Sequence, residues 1–114
     1  MIHEKAIREG KLTKGMNFTE KSLAICARIP KGKVVTYGDI ACKLGSDGAS
    51  RAVGNAMNGN PFSPDVPCHR VVGSTGKLTG FARGLDKKRA MLKKEGVPFK
   101  NDDQVDMAAC RHKL

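Results

Sequence analysis

The chain has no tryptophan, and its aromatics make up only 4% of 114 residues. A core must therefore be packed from Leu, Val, Ile, Met and Ala. No apolar run comes near the roughly 20 residues that a membrane-spanning helix requires, and no apolar stretch follows Met1-Ile-His-Glu-Lys5 as it would in a secretory signal. These absences predict an intracellular, cytoplasmic protein with no membrane partner. None of the four cysteines (Cys26, Cys42, Cys68, Cys110) stands in a Cys-x-x-Cys pair. A zinc site is thus not indicated, and free thiols are expected. Cys110-Arg-His112 is a poor metal motif in a polar tail, and fraying is the simpler reading. Acidic residues are scarce, 11 against 21 Lys and Arg, for a net charge of +10. Between Arg70 and Lys94 eight basic residues face a single acid, Asp86. Such a cluster suits a polyanion such as nucleic acid, or equally a solvated basic helix face.

The length predicts one domain. Residues 1–16 read as a flexible leader, 17–99 as the domain, and 100–114 as a polar tail. Asn17 with Glu20 forms a capping-box pattern ahead of an apolar stripe, Phe18, Leu23, Ile25, Cys26 and Ile29, that Pro30 and Gly32 close. Cys26 on that stripe reads as an inert core thiol. Val34-Val35 is a short extended piece. Thr36 with Asp39 is a second capping pattern, and Ile40, Ala41 and Leu44 face inward on a short helix that stops at Gly45. After the turn at Ser46-Asp47-Gly48, a third helix runs from about Ala49 to Asn58. Helix, glycine-containing turn, helix is the helix-turn-helix pattern. The fold class expected is mainly α, a winged-helix-like DNA-binding domain with little or short β.

The third helix is rich in small side chains (Ala52, Gly54, Ala56), which permits close approach to another surface, a neighbouring helix included. Arg51 near its start opposes the helix dipole, and a residue placed against local preference hints at a task. Residues 60–84 read as irregular. Asp86 reads as the cap of a last helix, Lys87 to Glu95, closed by Gly96, with Ala90, Met91 and Leu92 inside and the lysines in solvent.

Inside the irregular stretch stands Pro67-Cys-His-Arg-Val71. A thiol in an electropositive setting is a candidate nucleophile. Adjacent side chains diverge in both helices and strands, so a Cys68–His69 relay would run through a turn or a water. The histidine would need an orienting acid. Glu95, at a helix C-terminus where the dipole disfavours it, is the candidate. From these residues alone a structural histidine and a surface Arg70 remain open alternatives.

Pro67-Cys-His-Arg-Val71 resembles the active-site signature of the O6-alkylguanine-DNA alkyltransferases, the methylated-DNA–protein-cysteine methyltransferases. The likeness extends to Gly32-Lys-Val-Val-Thr-Tyr-Gly-Asp39, to Arg51-Ala-Val-Gly-Asn-Ala-Met57, to Asn60-Pro61, to Gly80-Phe-Ala-Arg-Gly-Leu85 and to the segment from Lys88 to Gly96, roughly residues 17–98 in register. The resemblance implies that Cys68 accepts an alkyl group, with His69 as a water-linked base and Glu95 as the acid that holds it. Asn60 would fix the active-site turn, and Tyr37 would donate to a guanine ring nitrogen. The carbonyls of Cys68 and Val71 would accept from the exocyclic amine, Phe81 would form a wall, the Ala82 amide would face O6, and Arg83 would border the pocket. Arg51 would fill the gap left by an extruded nucleotide, with Ser50, Ala52, Gly54, Asn55, Asn58 and Arg70 also on the DNA. The expected partner is double-stranded DNA containing O6-alkylguanine, met by a monomer with no cofactor and no metal. Transfer would be a single, self-consuming turnover. The alternative is an alkyltransferase-like protein, which binds the lesion without repairing it and signals to another pathway. Proteins of that class carry tryptophan or another residue where this chain has Cys68.

Overall fold

The structure, a computed structural model, describes residues 2–79 and 84–114. It begins with a short helix, α1 (Glu4–Arg8), whose Ile7 is fully buried. The first 16 residues were expected to be loose. Instead Ile7 and Met16 belong to the main core, and the His3 imidazole meets Glu20 at 2.7 Å.

Both capping patterns form. Ahead of α2 (Phe18–Cys26), Asn17 Oδ1 accepts from the Glu20 amide at 2.8 Å, and Glu20 Oε1 accepts from the Asn17 amide at 3.0 Å. A short strand, β1 (Val35–Thr36), leads into α3 (Tyr37–Lys43), where Thr36 and Asp39 repeat the exchange at 2.9 and 3.0 Å. Each box satisfies two otherwise orphaned amides and is worth about 1 kcal/mol. Gly45, with φ of 72°, stops α3 by entering the left-handed region. After the turn comes α4 (Ser50–Asn58), which buries Val53, Ala56 and Met57 against α2 and α3. This is the helix-turn-helix read from the sequence, in a mainly helical fold with short strands.

A 3₁₀ turn at Cys68–Arg70 runs straight into β2 (Val71–Val72), which pairs in parallel with β1, Val35 opposite Val71 and Thr36 opposite Val72. Side chains alternate across a strand, so this two-strand ribbon divides two cores. Val35 and Val71 face the larger one, built from α1 to α4 with Phe62, Val66 and Cys68. Val34 and Val72 face the smaller one, with Leu78, Leu92, Val97, Val105 and Cys110.

The smaller core is completed by α5 (Leu85–Lys94), the antiparallel hairpin of β3 (Phe99–Asn101) and β4 (Gln104–Val105), and α6 (Met107–Cys110). Residues 100–114, expected to be a polar tail, are thus part of the fold. Val105 and Cys110 are buried, and the chain end returns beside β1, with the His112 amide donating to the Val34 carbonyl at 2.7 Å. Gly76 is the closest approach in this core. Its φ is 90°, and a Cβ there would stand 2.7 Å from the Val105 carbonyl oxygen.

α5 departs from the sequence expectation in three ways. Gly84 is the N-cap residue, so Asp86 sits in the first turn instead of capping. Ala90 is exposed. Lys88, expected in solvent, is fully buried.

Candidate functional site

Asn60 bridges the start of the segment that runs to Val71. Asn60 Nδ2 donates to the Val66 carbonyl at 2.8 Å, and Asn60 Oδ1 accepts from the Phe62 amide at 2.9 Å. The Cys68 amide in turn donates to the Val66 carbonyl at 2.9 Å. The turn delivers Cys68 to the edge of the larger core, 5% exposed, and His69 to the interior, 2% exposed.

His69 Nε2 meets Glu95 Oε2 at 2.9 Å. Burial, with Arg70 and Lys88 nearby, lowers the imidazole pKa despite the raising pull of Glu95, so the contact is a hydrogen bond from a neutral ring at pH 7, not an ion pair. Glu95 can only accept. Burial alone would raise its pKa, yet the hydrogen bonds from Arg70 and His69 hold it below the ordinary carboxylate range. The proton therefore sits on Nε2, and Nδ1 keeps its lone pair. Nδ1 is buried and has no protein partner among the described residues. A buried imidazole with one nitrogen fixed to a carboxylate and the other bare is arranged as a base.

Arg70 is the fastener of this arrangement. Its Nε and Nη2 grip Glu95 at 2.9 and 2.7 Å, and Nη1 donates to the Ile29 carbonyl at 2.7 Å. Sequence reasoning placed Arg70 on DNA. The structure instead commits its guanidinium fork to a carboxylate and a carbonyl, because Glu95 at the end of α5 lies directly opposite.

Lys88 is the residue that sequence reasoning missed. Its Nζ donates to the Val71 carbonyl at 2.7 Å and the Thr79 carbonyl at 2.8 Å, and lies 3.4 Å from Tyr37 Oη. Burial pulls its pKa down to about 8, against the opposing pull of Cys68 and Cys26. A signal existed. Lys88, Met91, Leu92 and Glu95 recur at helical spacing on one face of α5, so a lysine in that stripe points inward. The Tyr37 hydroxyl donates to the Thr79 carbonyl at 3.0 Å, and burial raises its pKa. It is a neutral donor at pH 7.

Tyr37 and Thr79 line one side of a cleft of about 360 Å³, and α4 lines the other with Ser50, Arg51, Gly54, Asn55 and Asn58. Ser50, Arg51, Ala52, Asn55 and Asn58 are all exposed. The structure thus brings the predicted α4 face and Tyr37 to one opening. No side chain caps α4, since Ala49 occupies the N-cap. Phe81, Ala82 and Arg83, assigned to the pocket from the sequence, lie outside the described residues. A larger hollow, about 590 Å³, lies on the far side of α3 between Lys43 and the chain end, and none of the expected site residues line it. Among the described residues no three His, Cys, Asp or Glu side chains gather as a metal site, and no helix is long and apolar enough to cross a membrane.

The geometry is that of a helix-turn-helix domain with a shielded thiol, a carboxylate-fixed imidazole and a cleft under the second helix. The sequence pattern of the family described as "6-O-methylguanine DNA methyltransferase, DNA binding domain" matches residues 17–97, and the chain belongs to that family. It is 51% identical over 82 residues to a methylated-DNA–protein-cysteine methyltransferase of Methanosarcina acetivorans, covering 72% of this chain and 53% of that protein. The Mycobacterium tuberculosis protein of the same name is 45% identical over 82 residues, covering 72% of this chain and 50% of its own. The chain thus spans about half the length of the curated relatives it matches. Among solved structures, Mycobacterium tuberculosis OGT in complex with DNA superposes with a TM-score of 0.68 at 40% identity, over 82% of this chain and 63% of that one. S. pombe Atl1, in complex with damaged DNA containing O6-carboxymethylguanine, superposes with a TM-score of 0.76 at 30% identity, over 85% of this chain and 95% of that one.

Proposed function

We propose that this protein binds double-stranded DNA containing O6-alkylguanine and moves the alkyl group to its own Cys68, once per molecule. The observation that carries the proposal is the fixed tautomer of His69, which leaves a bare, buried Nδ1 on the residue next to the thiol.

The exposed face of α4 enters the minor groove in this reading. Its small residues allow close approach, and its uncapped N-terminus with Arg51 suits phosphate and the gap left by a displaced base. The target carbon lies inside the duplex, so the nucleotide must be extruded to reach Cys68. The Cys68 proton passes toward His69 Nδ1 through an intervening water, and Glu95 steadies the charge that results. The sulfur then attacks the alkyl carbon, forming the S–C bond as the C–O6 bond breaks and its electron pair stays on the purine. The Tyr37 hydroxyl turns from the Thr79 carbonyl to a guanine ring nitrogen as negative charge develops there. The Lys88 ammonium beside Tyr37 Oη lowers the cost of that charge. Tyr37 gives its proton to that nitrogen and regains one from solvent, His69 releases the thiol proton to solvent, and the products are neutral guanine and a thioether. Nothing in the arrangement would cleave it, so no second turnover follows.

A second reading is lesion recognition without transfer, favoured by the likeness to S. pombe Atl1 over nearly the whole of that chain. The two separate in one experiment. The protein is incubated with duplex DNA containing O6-methylguanine and its peptides are weighed. Methylation confined to Cys68, at one group per molecule, is expected. Saturable lesion binding with an unmodified Cys68 would select the second reading.

A further inference from the structure

α1 lies outside the span matched by the family pattern, yet it reaches the turn that carries Cys68. Arg8 pairs through Nη1 with Asp65, and its guanidinium stacks 4.9 Å from the centroid of the Phe62 ring. Both contacts fall between Asn60 and Cys68. Phe62 and Val66 are buried in the core that Ile7 enters from α1. The residues flanking the helix are tied to α2 and to the chain just after it. The His3 imidazole meets Glu20 at 2.7 Å, and Arg28 Nε donates to the Gly10 carbonyl at 2.7 Å. The turn is therefore gripped from inside by Asn60 and from outside by Arg8.

We propose that α1 is a buttress for the Cys68 turn and that Arg8 is a positioning residue for the thiol. The assignment deepens the alkyl-transfer reading and rests on it. Asn60 fixes the chain direction through two backbone groups, and the Val66 amide closes the arm by donating to the Phe62 carbonyl at 3.0 Å, but among the described residues Arg8 is what ties Asp65, on the outer side of the arm, to another element. Arg8 spans that arm with a charge on Asp65 and a cation over Phe62. The two contacts resist hinging of the arm, which would shift the Val66 carbonyl and with it the Cys68 amide that it holds. Misplacing a nucleophile by a fraction of an ångström slows a displacement without changing how the DNA is bound.

Arg8 is exposed enough that its replacement leaves the fold intact. The test compares wild type, Arg8→Gln, Arg8→Lys, Asp65→Asn and the Arg8→Gln, Asp65→Asn double variant. Three quantities are read: the transfer rate from O6-methylguanine duplex at saturating DNA, the lesion affinity, and the rate at which iodoacetamide labels Cys68, mapped by peptide mass. Arg8→Gln is expected to slow transfer about two- to fivefold, the scale of an exposed ion pair joined by a cation–π contact. Lesion affinity stays at the wild-type value. Cys68 labelling accelerates by a similar factor, since a looser turn exposes a thiol that is 5% exposed. Arg8→Lys, which keeps the cation, recovers most of the transfer rate, and Asp65→Asn has little further effect on top of Arg8→Gln. Unchanged transfer and labelling in Arg8→Gln would overturn the proposal, as would a loss confined to lesion affinity. Should the wild-type protein bind the lesion and transfer nothing, the alkyl-transfer reading fails. The buttress then stands or falls on the labelling rate and on hydrogen exchange at the Val66 and Cys68 amides, neither of which needs transfer.

Discussion

Replacing Glu95 by glutamine tests the site at its most connected point. The carboxylate takes three hydrogen bonds, from His69 Nε2 and from Arg70 Nε and Nη2, and its side chain is only 14% exposed. Glutamine keeps the shape, removes the charge and turns one acceptor into a donor that must face a donor. Breaking a largely buried charge pair on one side costs about 3–5 kcal/mol, and partial exposure of both partners reduces this to roughly 2–3 kcal/mol. For a chain of this size that is a fall in Tm on the order of 10 °C. The pH dependence has a definite sign. The folded pKa of Glu95 is depressed below its ordinary value of about 4.5. Its contribution is therefore complete above pH 4.5 and is lost as pH falls through the folded value. Urea unfolding of wild type and E95Q should differ fully at pH 7 and converge on acidification below 4.5. With the carboxylate charge gone, the imidazolium that forms on proton uptake loses its stabilising partner, and the base at Nδ1 is weakened. The single-turnover transfer rate should drop roughly a hundredfold at unchanged lesion affinity. Transfer within twofold of wild type, measured at a temperature where both proteins are folded, would refute the relay. A stability gap that does not narrow at all as pH falls below 4.5 would refute the electrostatic account of Glu95.

Three further outcomes follow from particular contacts. Lys88→Met removes the ammonium beside Tyr37, so transfer should slow. The ratio of wild-type to variant rate should shrink as pH rises through about 8, where Lys88 loses its charge; a ratio that stays flat from pH 7 to 10 would show that the charge is not used. Arg51→Ala should weaken lesion binding on the order of tenfold and lower the salt dependence of binding by about one counterion. Iodoacetamide labelling of Cys68 should be unaffected, and equal binding by variant and wild type would remove Arg51 from the interface. Gly76→Ala forces a Cβ to within 2.7 Å of the Val105 carbonyl and 2.8 Å of Met107 at a φ of 90°. It should cost roughly 2–4 kcal/mol in urea unfolding, and a loss below 0.5 kcal/mol would mean that the smaller core adjusts freely.

The parts of the fold legible in the sequence are those set by neighbours in the chain. Asn17 with Glu20 and Thr36 with Asp39 are contacts over three residues, and both form as the pattern predicts. Gly45 and the apolar faces of α3 and α4 are equally local. The misreadings, apart from the start and facing of α5, concern contacts across the chain. Ile7 is a single apolar residue on a five-residue helix and gives no periodic window, so its burial depends on α2 arriving opposite. Val105 and Cys110 sit in a polar stretch, and only the return of the chain to Val34 encloses them. Arg70 carries the same basic signal as a DNA-contacting arginine, and what separates the two is Glu95, 25 positions away. Lys88 was hidden by composition. A helix with four lysines and an arginine reads as solvated, although the spacing of Lys88 to Leu92 and Glu95 carried the contrary message.

The β1–β2 ribbon explains why these long-range contacts converge on Cys68. Val71 faces the larger core with its side chain, while its carbonyl accepts from Lys88, a residue of the helix that builds the smaller core. One residue before it, Arg70 ties the 3₁₀ turn to Glu95, the residue that ends the same helix. Cys68 and His69 thus stand where α5 is joined to the 3₁₀ turn and β2 by Lys88 to Val71, Glu95 to His69 and Glu95 to Arg70, while Lys88 also reaches Tyr37 of α3. A shift of α5 relative to α3 would change the imidazole tautomer, the position of the ammonium and the Tyr37 hydroxyl together. This coupling predicts that E95Q and K88M are not additive. The double variant should transfer only slightly more slowly than the worse single variant, because each already loosens the seam the other depends on. Losses that multiply would mean that Glu95 and Lys88 act as independent groups, and the seam would then be only a boundary between two cores.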